Sequence, residues 1–355
     1  MSEALAAYAG ARVLVTGDTG FKGAWLAYWL HRLGARVFGY ALPPLGARDL
    51  FEALALSDLV RHVDGDVRDL AAVRRAVVEA EPDFVFHLAA QALVKPSYDD
   101  PVGTFATNVQ GTVHVLEAVR GAPSVRSVVV ITSDKCYRNR EWSWGYRESD
   151  ELGGHDPYSA SKAAAEIVFA SYRDAYFAHA PVGLASARAG NVIGGGDEAP
   201  DRIVPDCVRA LRSRVPLVLR RPAARRPWQH VLEPLAGYLL LGQRLVEDRD
   251  AFGGSWNFGP RSDAIETVRE VAERIVALWG ERVPLELGSA DFHETHALRL
   301  SIDKATSQLG WRPRWGFDAT VANTVAWYRA AERGEDMRAF TAAQIEAYMH
   351  DEVPA

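Results

Sequence analysis

Continuous apolar runs alternate with amphipathic stretches through the first half of the chain. The apolar runs predict buried strands at residues 12–16, 36–41, 84–87, 127–132 and 182–187, with a weaker candidate at 59–64. The amphipathic stretches predict helices at 23–33, 70–80, 102–119 and 158–179. Strands that are apolar on both faces and alternate with helices are typical of a parallel sheet covered by helices on both sides. The pattern therefore predicts an α/β fold, a doubly wound parallel sheet built from right-handed crossovers.

The periodic pattern weakens after residue 190, close to a glycine-rich loop. Further helices are predicted at 204–211, 231–246, 267–278 and 319–333, and no element is assigned to the polar tail from Gly334. We expect two units with an interleaved boundary. Residues 1–187, joined by parts of 227–262, form the first domain, and 188–355 form mainly a smaller C-terminal lobe.

Composition excludes several classes of protein. The 355 residues are 48% hydrophobic and 24% charged, which fits a sizeable core, and the net charge of -6 disfavours nucleic-acid binding. Two cysteines, Cys136 and Cys207, cannot build a disulfide framework, which favours a reducing compartment. The sequence starts without a basic, apolar leader, and no apolar run approaches the roughly 20 residues that span a bilayer. We therefore expect a cytoplasmic protein with no membrane partner.

The first predicted strand runs into a glycine-rich turn that opens the first helix. In a turn that cradles a pyrophosphate, Gly17 allows the tight bend, Gly20 the close approach of the backbone, and Gly23 close contact between helix and sheet. The positive end of the helix dipole then faces the phosphates. An ordinary strand–helix turn would rarely need three such glycines. The turn therefore predicts a Rossmann dinucleotide-binding domain whose cofactor contacts include Gly17, Thr19, Gly20, Phe21, Lys22 and Gly23.

Three further segments are placed to line the cofactor. The second strand ends around Tyr40 with no carboxylate, so the usual ribose rule does not decide between NAD and NADP. Asp66 and Val67 follow the next strand and could receive the adenine edge, although Asp66 could equally cap helix 70–80. Small residues after the fourth strand would let the cofactor pass close to the backbone at Leu88, Ala89 and Ala90.

Tyr158 and Lys162 stand four residues apart at the start of a predicted helix and share one face. The ordinary pKa of tyrosine is near 10, and a nearby ammonium group or nicotinium ring favours phenolate. Such a phenol can act as a base near neutral pH, which predicts hydride chemistry on a hydroxyl group. The plain alternative is a surface Tyr–Lys pair. Asn108, inside helix 102–119, could bond within that helix or bind a water that feeds Lys162.

Ser133, Asp134 and Lys135 follow the fifth strand, at the edge where open α/β sheets bind ligands. Ser133 is placed to hydrogen-bond the reacting hydroxyl beside Tyr158. A redox step needs no further acid or amine, so Asp134 and Lys135 suggest an additional proton transfer such as loss of water. A solvent-exposed salt bridge at the strand end is the alternative.

The order of these residues resembles the extended short-chain dehydrogenase/reductase family over nearly the whole chain. Within that family the likeness is greatest to the CDP-glucose 4,6-dehydratases, because of Ser133-Asp134-Lys135 and a tryptophan-rich loop that contains Trp142 and Trp144. The related dTDP-glucose enzymes typically carry Asp-Glu in place of Asp134-Lys135. The resemblance is carried by residues 17–26, 39–44, 133–137, 139–142, 144–148, 156–162, 226–231 and 309–313.

The resemblance implies a closed hydride cycle with NAD on CDP-glucose. Tyr158 takes the proton of the C4 hydroxyl while the C4 hydride passes to NAD. Lys135 helps to remove the C5 proton next to the new 4-ketone, and Asp134 protonates the departing C6 hydroxyl. The hydride then returns to C6, which gives CDP-4-keto-6-deoxyglucose.

The substrate diphosphate needs cationic partners. Arg202 and Arg226 are the candidates, because a guanidinium pairs bidentately with phosphate. Arg226 and Asn191 also resemble diphosphate contacts of the family. The predicted substrate site is completed by Gln91, His293 and Arg299. The spacing of the His and Glu residues provides no metal-ligand set, so no metal is predicted.

The resemblance also implies a homodimer in which helices 102–119 and 158–179 form a four-helix contact. Their apolar faces could equally belong to the core; they include Val113, Leu116, Ile167 and Phe169.

Two other functions remain open from the sequence. A nucleotide-sugar 4-epimerase would share Ser133, Tyr158 and Lys162 but would not need the acid and amine that follow Ser133. A catalytically silent dinucleotide sensor on the same fold would have little reason to keep both Tyr158 and Lys162.

Overall fold

Parallel strands form one central sheet in the computed structural model, which describes residues 3–44, 46, 48–261, 265–281, 283–288 and 298–351. The strands of this sheet are β1 (Arg12–Thr16), β2 (Arg36–Ala41), β3 (Arg61–Asp64), β4 (Phe84–His87), β5 (Ser127–Ile131), β6 (Gly183–Arg188) and β7 (Gly254–Asn257). Across the sheet their order is β7-β6-β5-β4-β1-β2-β3, and every neighbouring pair is parallel. The predicted fold class is confirmed, and so is the weak strand candidate that became β3.

Helices cover both faces of the sheet. The principal helices are α1 (Phe21–Arg32), α2 (Leu70–Ala80), α3 (Gly111–Arg120), α4 (Pro157–Tyr172), α5 (Ile203–Ser213), α6 (Leu232–Glu247), α7 (Val268–Trp279), α8 (Phe317–Glu332) and α9 (Met337–His350). Shorter helical segments are Glu3–Tyr8, Leu50–Ala53, Leu56–Asp58, Val94–Asp99, Pro101–Phe105, Ala106–Gln110, Asp134–Cys136, Arg173–Phe177, Arg249–Phe252 and Ala305–Leu309.

Successive residues of β1 point into separate cores on opposite faces of the sheet. Val13 and Val15 belong to the core that includes Trp25 of α1, whereas Leu14 belongs to the core that includes Val77 of α2. This is the period of two expected of a strand. Because both faces are covered, β1 reads as a continuous apolar run, and its carboxyl end is left as the open edge at which ligands can bind.

Two of the predicted helices contain π-helical turns. Pro101–Phe105 continues through the π turn Ala106–Gln110 into α3, and α4 continues into the π turn Arg173–Phe177. Such single turns occur frequently at functional sites. Asn108 therefore lies in a widened turn rather than in a regular helix.

Two of the elements that the sequence pattern did not predict are a strand of the central sheet and a C-terminal helix. β7 pairs in parallel with β6, although its sequence Gly-Ser-Trp-Asn contains one large apolar residue and no apolar run. The tail that was left without an element forms α9, in which Ile345 and Tyr348 are buried. Both elements depend on contacts with distant parts of the chain, which a local pattern does not record.

The second half of the chain also contains small paired strands away from the central sheet. Val192–Ile193 pairs with Gln229–His230, Arg225–Arg226 with Glu266–Thr267, and Leu217–Leu219 with Leu285–Leu287. Over the part of the chain that is described, none of the helices combines the length and apolar character needed to cross a membrane.

Candidate active site

The glycine turn packs tightly against the chain segment that leaves β4. Gly17 has a φ of +80°, and a Cβ at this position would lie 2.7 Å from the backbone nitrogen of Ala89. A Cβ on Gly23 would collide with the carbonyl oxygen of Gly17. Helix α1 begins directly after Gly20, which offers no side chain to cap the first backbone N–H groups. A tight turn with free N–H groups at the amino end of a helix fits a dinucleotide pyrophosphate.

Two hydrogen bonds tie the glycine turn to the end of β2. The Gly17 N–H donates to the Tyr40 carbonyl at 2.9 Å, and the Thr19 hydroxyl donates to the Leu42 carbonyl at 2.9 Å. Phe21 begins α1 and lies beside Gly194. The turn is therefore fixed between the second strand and the loop that follows β6.

Lys22 faces the reacting end of the site from the first turn of α1. Burial lowers the pKa of Lys22 to about 7, and the positive charges of Arg202 and Lys162 act in the same direction. These repulsions indicate that Lys22 lies near both Lys162, the predicted catalytic lysine, and Arg202, a predicted diphosphate arginine.

Asp66 is held by Arg68 and does not cap a helix. Its carboxylate accepts from the Arg68 guanidinium at 2.8 Å, and this hydrogen bond lowers the pKa of Asp66. The cap of α2 is Asp69, which accepts from the Ala72 N–H at 3.0 Å. The interpretation of Asp66 as a helix cap is therefore wrong, and the adenine contact remains a prediction.

The other predicted contacts of the adenosine end lie around the same edge. The Tyr40 hydroxyl donates to the Asp66 carbonyl at 3.0 Å, and Val67 is buried against Gly111. The residues that follow β4 are half-buried beside the glycine turn: Leu88, Ala89 and Ala90.

Four buried side chains at the carboxyl end of β5 form what we term the reaction cluster: Ser133, Asp134, Tyr158 and Lys162. Tyr158 is 7% exposed and Lys162 is 6% exposed, which rules out a surface Tyr–Lys pair. Asp134 is 4% exposed, which rules out a solvated salt bridge for this carboxyl group. Lys135 follows on the same short helical turn and is half-buried.

The phenol of Tyr158 is weakly acidic in this environment. Burial raises the pKa of Tyr158 to about 12, while a hydrogen bond with Ser133 and the positive charge of Arg202 lower it. The negative charge of Asp134 raises the pKa of Tyr158 further. The Ser133 hydroxyl donates to Asp134 Oδ1 at 2.9 Å, so Ser133 connects the phenol to the carboxyl group.

The carboxyl group of Asp134 is also gripped from the loop after β6. The Asn191 amide donates to Asp134 Oδ2 at 3.3 Å, and Asn191 has a left-handed φ of +53°. A Cβ on Gly190 would collide with the same carboxyl group. Asn191, which was predicted to contact the diphosphate, thus lies against the predicted acid.

Lys162 projects from α4 toward the end of β5. Its ammonium group donates to the Ile131 carbonyl at 3.4 Å. Burial lowers the pKa of Lys162 to about 8, and the negative charge of Glu166 opposes that change. The ammonium group has three protons to donate, so it retains capacity for a ligand.

The side chain of Asn108 joins two elements instead of bonding within its own helix. Its Oδ1 accepts from the Gln91 N–H at 2.8 Å, and its Nδ2 donates to the Gln91 carbonyl at 3.0 Å and to the Ser161 hydroxyl at 2.8 Å. The Gln91 amide in turn donates to Thr104 at 3.0 Å. Asn108 therefore fixes the loop after β4 against the helix that carries Tyr158 and Lys162.

The predicted diphosphate and substrate residues are spread over the second half of the chain. Arg202 is paired with Asp197 at 2.9 Å, and Arg226 is buried with its guanidinium donating to the Arg225 carbonyl at 3.0 Å. The carbonyl of Arg299 accepts from the backbone of the tryptophan-rich loop. His293 lies outside the described residues.

Sequence reasoning missed two buried carboxyl groups near the site and their partners. Glu166 pairs with Arg188 at 2.6 Å, and Asp18 pairs with His62 at 2.7 Å. Helical spacing could have revealed Glu166, because it follows Lys162 by one turn. No local signal links Asp18 to His62. Across the described ranges, no group of three or more His, Cys, Asp or Glu residues could hold a metal ion.

Comparisons with known proteins found relatives of similar sequence and fold. A family model described as GDP-mannose 4,6 dehydratase matches residues 14–324. The CDP-glucose 4,6-dehydratase of Salmonella typhimurium is 49% identical over 96% of both chains. A structure of the dTDP-glucose 4,6-dehydratase of Streptomyces venezuelae with NAD bound has a TM-score of 0.78 and 25% identity, covering 92% of this chain and 99% of that one. The UDP-glucose 4-epimerase of Thermus thermophilus in complex with NAD has a TM-score of 0.77 and 27% identity, covering 90% and 99%.

The fold and the buried Tyr158–Lys162 pair define an extended short-chain dehydrogenase/reductase. Within that class, the chain belongs to the GDP-mannose 4,6-dehydratase family. The expected resemblance is confirmed.

Proposed function

We propose that this chain is an NAD-dependent CDP-glucose 4,6-dehydratase, which converts CDP-glucose to CDP-4-keto-6-deoxyglucose and water. The observation that carries the proposal is the place of Asp134, whose buried carboxyl group shares Ser133 with the Tyr158 phenol. An acid beside the reacting hydroxyl has no task in simple oxidation but is needed to eliminate water. The relative with 49% identity over 96% of both chains supports the CDP-sugar.

The side chains divide the proton transfers among themselves. Tyr158 takes the proton of the C4 hydroxyl, with Ser133 bonded to the phenol. When bound, NAD would supply the hydride acceptor for C4 and the hydride donor for C6. Lys135 removes the C5 proton, which the 4-ketone makes acidic, and Asp134 protonates the C6 hydroxyl as water leaves.

The proposed reaction needs Tyr158 without its proton and Asp134 with its proton. A negative charge on Asp134 raises the pKa of Tyr158, so the phenol releases its proton more readily when the carboxyl group is neutral. A protonated Asp134 is also the form that can act as an acid. A proton on Asp134 therefore serves both steps of the dehydration: it removes a charge that opposes phenolate at Tyr158, and it is the proton that the leaving hydroxyl takes.

The diphosphate of a nucleotide sugar needs cationic partners. We assign the substrate diphosphate to Arg202 and Arg226, and we retain Gln91, Asn191, His293 and Arg299 as predicted substrate contacts. Arg202 acts electrostatically on Tyr158, which supports its place at the inner end of the substrate. We assign the NAD pyrophosphate to the glycine turn and the adenosine to Tyr40, Asp66 and Val67.

One set of assays tests the proposal. The purified protein is offered CDP-, dTDP-, UDP- and GDP-glucose separately with NAD, and loss of water is followed by mass spectrometry. We expect dehydration of CDP-glucose and, in deuterated water, one deuterium at C5 of the product. Conversion to a 4-epimer without loss of water would favour an epimerase, and tight NAD binding with no turnover would favour a sensor.

We also infer a homodimer built on the helices that were predicted to pair. Leu116 and Phe169 belong to the core, but Ile167 is 60% exposed and Val102 is 79% exposed on the same side of the sheet. Exposed apolar residues on two neighbouring helices support a contact with a second copy. Light scattering should report a dimer that Ile167→Glu converts to a monomer.

The remaining assignments concern location and domain limits. Cys136 and Cys207 are both free thiols, which supports a reducing compartment such as the cytoplasm. We assign residues 1–187 with parts of 227–262 to the cofactor domain, supported by the pairing of β7 with β6. The substrate lobe then takes most of residues 188–355.

A further inference from the structure

A buried ion pair lies directly beneath the reaction cluster. Glu166 follows Lys162 by one turn of α4 and follows Tyr158 by two turns, so the three share one face of the helix. The side chains of Glu166 and its partner Arg188 are 1% and 3% exposed, and their charged atoms lie 2.6 Å apart. A buried pair of this kind adds little stability by itself, because desolvation offsets the attraction.

The Glu166 carboxylate collects hydrogen bonds from three strands. It accepts from the hydroxyl of Thr132, the residue directly before Ser133. It also accepts from Ser186 of β6 at 2.9 Å and from Ser255 of β7 at 3.2 Å. The carboxylate therefore fixes the end of β5, from which Ser133 and Asp134 project, relative to the helix that carries Tyr158.

Arg188 anchors this carboxylate from the other side. Its guanidinium also donates to the Tyr137 hydroxyl at 2.6 Å and to the Glu148 carbonyl at 3.1 Å. Tyr137 and Glu148 flank the tryptophan-rich loop. The ion pair is thus the point at which the loop, β6 and α4 meet.

Among the groups that act on Lys162, Glu166 contributes the most negative charge. On α4 these groups are Tyr158 and Glu166; from other elements they are Cys136, His87 and Lys22. Burial raises the pKa of the Cys136 thiol well above its usual value and lowers the pKa of His87 to about 3, so both are neutral at pH 7. Lys22 repels the Lys162 ammonium.

We propose that Glu166 is a positioning residue of the reaction cluster, whose carboxylate keeps the buried Lys162 ammonium charged and holds the Ser133 end of β5 against Tyr158. The inference rests on the proposed function in one respect, because its first readout is turnover of CDP-glucose. A charged Lys162 is the form that favours phenolate at Tyr158, so the loss of its proton defines the alkaline limit of activity.

The test compares the pH profile of kcat/KM in matched variants. In Glu166→Gln the alkaline limb should move to lower pH by about one unit, because an opposite charge one helical turn away is lost. Glu166→Asp keeps the charge and should keep the limb near its wild-type position while kcat falls. Glu233→Gln removes an equally buried carboxyl group that is not among the charges acting on Lys162, and it should leave the limb unchanged.

A second variant covers the case in which Glu166→Gln does not fold with Arg188 unpaired. Glu166→Gln combined with Arg188→Met removes both buried charges, a replacement that proteins commonly tolerate. It should move the limb in the same direction as Glu166→Gln but by less, because the positive charge of Arg188 is removed together with the carboxylate. An alkaline limb at the wild-type pH in a folded variant without the Glu166 charge would overturn the proposal.

A readout without turnover separates this inference from the proposed function. A small amine-reactive reagent modifies Lys162 only when the ammonium group has lost its proton. The rate of this modification, measured by peptide mass spectrometry across a pH series, therefore reports the titration of Lys162. Its midpoint should fall by about one unit in Glu166→Gln and by less in the double variant, whichever sugar nucleotide the protein uses. An unchanged midpoint would contradict the role of Glu166.

Discussion

Two buried clusters of ionisable side chains in this protein are hydrogen-bonded very differently. In the reaction cluster, the Lys162 ammonium donates to one carbonyl at 3.4 Å, and Asp134 accepts from Ser133 at 2.9 Å and from Asn191 at 3.3 Å. The second cluster, which we term the clasp, consists of Glu233 of α6 with Arg314, Trp315 and Tyr348.

Both oxygens of the Glu233 carboxylate in the clasp accept hydrogen bonds. It accepts from the Trp315 N–H at 2.6 Å, from the Tyr348 hydroxyl at 2.7 Å and from the Arg314 N–H at 3.0 and 3.1 Å. These short bonds hold α9 and the segment before α8 against α6. A buried group with all its bonds made stabilises a fold, whereas one with unused donors or acceptors can accept a substrate.

The same substitution in each cluster gives the sharpest test of this difference. Tyr158→Phe should lower kcat by about 1000-fold, because general-base catalysis is lost. Tyr348→Phe should leave kcat near the wild-type value but reduce the free energy of unfolding by about 2 kcal/mol, because a hydrogen bond to a buried carboxylate is lost. Turnover by mass spectrometry and urea denaturation measure the two effects. A large loss of turnover in Tyr348→Phe would break the comparison.

Asp134→Asn should lower overall turnover by about 100-fold, because the amide cannot protonate the leaving C6 hydroxyl. Oxidation at C4 does not need this acid, so reduced nicotinamide should accumulate and be visible by absorbance. The control is Lys135→Met, which should instead suppress deuterium incorporation at C5. Full turnover in Asp134→Asn would remove the acid from the mechanism.

The clasp carboxylate should show itself in the pH dependence of stability. Burial raises the pKa of Glu233 from 4.5 to about 7, so between these values the folded state binds more protons than the unfolded state. Stability from this group is therefore present below pH 4.5 and is lost as the pH rises to 7, by about 3 kcal/mol in total. Urea denaturation of wild type and Glu233→Gln across this range should give curves that diverge, whereas parallel curves would contradict the shift.

Sequence patterns predicted the parts of the molecule that depend on neighbouring residues. The alternation of strands and helices predicted the central sheet except for β7, and the glycine spacing predicted the turn at Gly17. The four-residue spacing of Tyr158 and Lys162 found two members of the reaction cluster. Each of these signals lies within a single element or at its end.

The parts that the sequence did not predict depend on contacts between distant segments. The clasp joins Glu233 to Tyr348 across 115 residues, so α9 looked like a polar tail. The amide of Asn191 donates to Asp134, which lies 57 residues away in the sequence, and no local spacing predicts that contact. The sequence pattern allowed Asp66 as a cap of α2, but the helix begins at Leu70, which makes Asp69 its N-cap.

Substitutions of Asp66 and Asp69 should have the smallest effects, because neither side chain is buried as those of the two clusters are. Asp66→Ala should raise the KM for NAD about threefold with kcat unchanged, as expected when uniform binding is lost. Its exposed pair with Arg68 should contribute less than about 1 kcal/mol to stability. Asp69→Ala removes the cap of α2 and should cost about 1 kcal/mol of stability without changing that KM. If the two variants exchanged these outcomes, Asp69 rather than Asp66 would be the residue at the adenine.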